Sequence, residues 1–298
     1  MIATRATPRL MLLGLTLQAG VWMGLHLPVL FGREIHFNVI EGTFQSAASI
    51  LAFALALALN VEIAGEYRQT PWLRWAWLFL GANAGLSMLR EVVQSPLLNL
   101  VWKGYTDSPL QGLHQHLVIV PANSFLVLGL LGMWWAYRQV GLGFVTKGYD
   151  YAQIAGIVCV LLALLFSRRG LTQAESPYLV GRVLQHVGLL LLATAAAASV
   201  VLHRMALQMG GGKLARALRC LTLYAALRAT LVLAEALLFL HMPEWRQTNG
   251  LLHFLDTFCW QTVPWLAALA GAYRADLTVH AQKELQRYLA GKAAPIAA

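Results

Sequence analysis

The stretch IEGTFQSAASILAFALALALNV, residues 40–61, decides the fold. Its one charge, Glu41, stands at the start, and from Ala47 to Leu59 nothing is more polar than Ser49. About 20 apolar residues in a helix cross the hydrocarbon core of a bilayer. Within lipid the backbone has no water to bond, so a lone spanning segment has to satisfy its own amides as a helix. The segment therefore reads as a transmembrane helix that carries its polar groups near one end.

Working outward, segments of the same kind lie near residues 10–31, 75–95, 115–137, 151–167, 179–202, 217–241 and 250–273. The chain reads as an all-α integral membrane protein, a polytopic bundle of about eight spans. Short polar loops separate them, such as Glu66-Tyr67-Arg68-Gln69-Thr70-Pro71 and Gly210-Gly211-Gly212-Lys213, so sequential helices are expected to be antiparallel neighbours. Residues 1–275 form one transmembrane domain, and 276–298 are expected to be a cytoplasmic tail with a surface helix. The N-terminal run, flanked by Arg5 and Arg9, is long enough to span and has no small-residue cleavage site after it. It reads as a retained first helix.

Composition agrees. Of the 298 residues, 58% are hydrophobic and 12% charged, about half the charge of a soluble domain, and the mean hydropathy is +0.60. A formal charge of +9 would suit nucleic acid in a soluble protein. No basic run with interleaved aromatics supports that partner, and cytoplasmic loops rich in Lys and Arg account for the excess. With the N-terminus inside, fourteen of the 22 Lys and Arg fall in inner segments and five in outer ones, while Arg90, Arg182 and Arg228 lie within spans. This bias places both termini in the cytoplasm of a bacterial-type inner membrane. Cys159, Cys220 and Cys259 fall in separate apolar stretches with no CxxC and read as small packing residues.

Weak internal similarity suggests a 4+4 tandem duplication. Spans four and eight both end in Ala-Tyr-Arg, at 136–138 and 272–274, and spans three and seven both carry Arg and Glu.

Ionisable residues facing lipid are costly, so they turn toward the bundle interior or a hydrated cavity. In the orientation above, Glu41, Arg90, Glu91, His116, Arg182, His186, Glu235, His253 and Asp256 all fall in the outer halves of their spans, with Arg228 near mid-depth. That segregation implies a polar cavity open to the outside. The expected ligand-binding set is Glu41, Arg90, Glu91, Arg182, His186, Arg228, Glu235 and Asp256. The arginines would supply positive charge for an anionic group, and the carboxylates would balance it or relay protons. The competing reading for Arg228 and Glu235 is a structural ion pair. For His26, His116 and His253 it is interfacial packing, and the ten Trp residues read as an aromatic belt.

No HExxH, GxSxG, Walker A or dinucleotide fingerprint is present. A b-type haem is disfavoured because no two mid-depth histidines pair at equal depth. A divalent metal stays open, with His116, His186, His253 and Asp256 as candidate ligands. In architecture alone, the rhythm of short loops and Arg/Glu-bearing helices resembles the multi-span sensor regions that precede bacterial signalling domains. The leading expectation is binding of a small molecule or lipid headgroup for sensing or transport. The alternatives are an intramembrane enzyme acting on a lipid-linked substrate and an accessory subunit bound to a membrane-protein partner.

Overall fold

The computed structural model describes residues 7–27, 39–95, 109–139, 155, 158, 179–241 and 250–293. Within these, side chains at 26, 39–42, 94, 109–116, 179, 181–182, 185, 233–241, 250–257 and 282–293 are outside the described set. Among the described residues the chain is helical and has no strand. The helices are α1 (Pro8–His26), α2 (Val39–Glu66), α3 (Pro71–Gln94), α4 (Pro109–Gln139), α5 (Leu179–Gln208), α6 (Lys213–His241) and α7 (Gly250–Ala293). Among the described residues, three stretches are long and apolar enough to cross a membrane: Thr43–Glu66, Leu117–Gln139 and His186–Gln208. They coincide with the second, fourth and sixth expected spans. Apart from residues 155 and 158, the expected fifth span at 151–167 lies outside the described residues.

Local chemistry sets the helix ends. Thr7 caps α1, its Oγ1 accepting from Leu10 N at 3.4 Å, and Pro8 follows at the first helical position. Pro71 opens α3 in the same way. The turn from α5 to α6 needs Gly210, whose φ of +73° is strained for any residue with a Cβ. Arg219 then ties the turn down by donating from Nη2 to Gly210 O at 2.8 Å. Most helices outrun their expected spans, and two of them do so in a way that matters at one end of the bundle. α2 continues past 61 to Glu66, and α7 continues past 273 to Ala293, with no proline in either continuation.

Six helices form a closed ring in the order α2, α3, α4, α5, α6, α7, with α7 packing back against α2. α1 lies outside the ring, against α7. Small residues bring the backbones together, as in membrane bundles where lipid offers no hydrophobic drive. A Cβ at Gly129 would stand 2.8 Å from Leu80 Cγ across the α3–α4 seam, and one at Gly271 would stand 2.9 Å from Leu59 Cβ across α2–α7. Outward faces carry Leu13, Leu17, Leu51, Leu128, Leu207 and Leu223, all exposed. An apolar exterior around a mainly apolar interior that also shelters Gln45, Asn60, Asn83, Asn123 and Arg228 suits a lipid solvent.

Register follows from side-chain pairs. Ser49 meets Gln261, Leu59 meets Gly271 and Glu66 meets Thr278, so α2 and α7 run parallel. Asn83 meets Tyr224 and Ser87 meets Arg228, so α3 and α6 run parallel across the ring. Each of these two helices follows a four-residue turn, 67–70 and 209–212. The end of the ring that bears both turns is called the base below.

Candidate functional site

α6 presents Tyr224 and Arg228 one turn apart, on the stripe that faces α3. α3 presents Asn83 and Ser87 with the same spacing. Arg228, only 3% exposed, donates from Nη1 to Ser87 Oγ and to Tyr224 Oη, both at 2.7 Å. Its Nη2 donates to Asn123 Oδ1 on α4 at 3.3 Å. The Tyr224 O–H donates in turn to Asn83 Oδ1 at 2.9 Å. Asn83 Nδ2 ends on Ala122 O at 2.7 Å, and Asn123 Nδ2 on Gly188 O of α5 at 3.4 Å. A guanidinium is thus held by neutral acceptors on three helices, with a fourth reached through Asn123, and none of its described hydrogen-bond partners is a carboxylate.

Glu91 stands one turn beyond Ser87, away from the base, with Arg90 and Arg228 the cations whose fields reach it. Arg90 lies over the Trp260 ring of α7, 5.0 Å from its centroid, a cation–π contact. Arg90, Glu91 and Arg228 therefore belong to one end of the ring. His186 is half-buried near the start of α5, two residues from the Gly188 carbonyl that Asn123 uses. The remaining expected site residues, Glu41, Arg182, Glu235 and Asp256, have side chains outside the described set. So do the metal candidates His116 and His253. Among the described residues no group of three or more His, Cys, Asp or Glu is placed to hold a metal.

A second network lies at the base. Arg274 Nη2 pairs with Glu66 Oε2 at 3.2 Å, its Nε donates to Tyr67 Oη at 2.8 Å, and its Nη1 to Thr278 Oγ1 at 2.6 Å. Thr278 Oγ1 also donates to Glu66 Oε2 at 2.8 Å. Lys213 pairs with Asp276 at 2.8 Å beside it. A third, neutral cluster docks α1. Gln18 Nε2 donates to Gln261 Oε1 at 3.0 Å, Ser49 Oγ to the same oxygen at 3.4 Å, and Trp265 Nε1 to Gln18 Oε1.

Charge alone locates only part of this arrangement. Asn83, Ser87 and Tyr224 escape a search for ionisable groups, yet they are what hold Arg228. The usable signal was spacing: Asn83, Ser87 and Arg90/Glu91 recur at i, i+4, i+7/8, and Tyr224 precedes Arg228 by four. Glu66 and Arg274 read as loop residues just past their spans, and α2 and α7 run on far enough to bring them together at the base as one network. The chain matches no family model, and no curated protein or solved structure matches it significantly.

Proposed function

We propose that this is an eight-span inner-membrane protein, with its base and both termini in the cytoplasm, that binds an anionic small molecule or lipid headgroup from the opposite side. Arg228 is the centre of the site, and the outcome of binding is sensing or transport. The observation that carries the reading is the set of neutral partners around Arg228. A buried cation is costly unless charge or strong hydrogen bonds compensate it. Ser87, Tyr224 and Asn123 orient the guanidinium without neutralising it, which leaves its charge for an anion. Arg90 adds positive potential at the same end, and Glu91 offers a carboxylate for charge balance or proton relay. The matching turns before α3 and α6, and the parallel course of those helices, support the 4+4 duplication, with the site between the two halves.

Thermal unfolding of the purified chain in detergent tests the proposal, using phosphate, sulfate, a dicarboxylate and micelles doped with anionic phospholipid. At least one anion should raise the unfolding midpoint, as any ligand selective for the native state does. R228Q should fold and lose that response. If no anion shifts the midpoint, or if R228Q keeps the shift, Arg228 is not the anion site.

A further inference from the structure

The chain from Leu179 to Ala234, which holds α5, the following turn and most of α6, contains no Asp or Glu. Its base end carries His203 and Arg204 on α5 and Lys213, Arg216 and Arg219 on α6. Lys213 is neutralised by Asp276 of α7. The other base turn, between α2 and α3, is mixed: Glu62 and Glu66 precede Arg68 and Arg74. A preference of Lys and Arg for one membrane face acts on both turns alike, so it does not account for the difference.

The basic groups of the α5–α6 hairpin meet on an outer seam. His203 Nδ1 lies 2.9 Å from Thr222 Oγ1, which joins α5 to α6 a few turns from the base. Arg216, Arg219 and Leu223 stand at i, i+3 and i+7 and so share one stripe of α6. Arg216 is exposed. Arg219 is half-buried, and its Nη2 donates to Gly210 O at 2.8 Å, which holds the guanidinium at the level of the turn. Leu207 on α5 is 55% exposed and Leu223 is 45% exposed. Arginine heads and bare leucines thus share a surface that faces away from the ring interior.

We propose that this seam binds an anionic phospholipid, with its phosphate beside Arg216 and Arg219 and its acyl chains along Leu207 and Leu223. The match is one of charge and of solvent. Anionic headgroups attract cations at the membrane surface, and an arginine stem lies along apolar surface while its planar head takes a phosphate. The inference needs the chain only to sit in a bilayer. It does not rest on the Arg228 site, which lies inside the ring and three turns farther from the base.

Native mass spectrometry of the intact protein counts bound lipid directly, after titration in neutral detergent with phosphatidylglycerol or with phosphatidylcholine of the same acyl chains. Phosphatidylglycerol should be retained preferentially. R216Q should weaken its binding about fivefold, the effect of one cation near the surface, while R216K should keep most of it. Arg216 is exposed, so R216Q should fold, and its unfolding midpoint without lipid checks this. R68Q at the other base turn and R228Q inside the ring should leave the lipid bound. Equal retention of the two lipids, or an R216Q protein with the wild-type preference, would overturn the proposal. So would equal losses in R216Q and R68Q, which mark diffuse surface attraction, or a loss confined to R228Q, which puts the lipid at Arg228 instead.

Discussion

Arg228 and Arg274 are both buried in the same ring, and they are held in opposite ways. Arg274 sits at the base against a carboxylate, Glu66, with Tyr67 and Thr278 completing its shell. Arg228 lies deep in the bundle and is held by a serine, a tyrosine and an asparagine. The first arrangement neutralises charge where two helix ends meet, and it fastens α7 to α2. The second orients the guanidinium, and among the described residues no carboxylate hydrogen-bonds to it. A bundle that needed only internal adhesion would gain more from the first solution everywhere, since an unneutralised cation in a low dielectric is expensive. On the proposed function, the neutral partners that Arg228 has among the described residues serve a site rather than a rivet.

The contrast yields a counterintuitive ranking of mutations. Y224F removes a single oxygen, yet it leaves a buried Arg228 N–H and the buried Asn83 side-chain oxygen each short of a partner. We expect a loss of about 2–3 kcal/mol in reversible unfolding in detergent or bicelles. R274L deletes a whole ion pair, but the Glu66 side chain remains 28% exposed and can turn to water. Its cost should be about 2 kcal/mol, below the range for fully buried pairs, and R274L/E66L should recover part of it. A larger loss for R274L than for Y224F would show that Arg228 depends little on Tyr224, and the comparison would collapse. K213A is the smallest change, because both partners of that pair are about one third exposed. It should cost less than about 1 kcal/mol and fade at high salt. A salt-independent loss there would mean that the base is drier than its exposure indicates.

Much of this was legible in the linear chain. Residues 40–61 announced a membrane helix by length and apolarity alone, and α2 contains them. Arg228 stood out because mid-span arginine is rare. Its partners did not, since Asn83, Ser87 and Tyr224 carry no charge and cost little individually in a hydropathy profile. The inner network was equally hidden. Arg274 reads as a loop cation that follows a span, and only the unbroken continuation of α7 carries it into contact with Glu66.

The sequence by itself determined the element type and which stretches are apolar enough to cross a membrane. Uninterrupted apolar stretches partition into lipid, and lipid compels a lone segment to bond its own backbone as a helix. Tertiary structure alone decided which polar groups meet. Asn83 and Tyr224 are 141 residues apart, as are Ser87 and Arg228, and Glu66 and Thr278 are 212 apart. Such contacts depend on the rotation and register of packed helices. These are set where Gly81, Gly129 and Gly271 permit close approach, and no periodicity along one helix encodes the face that another helix will offer it.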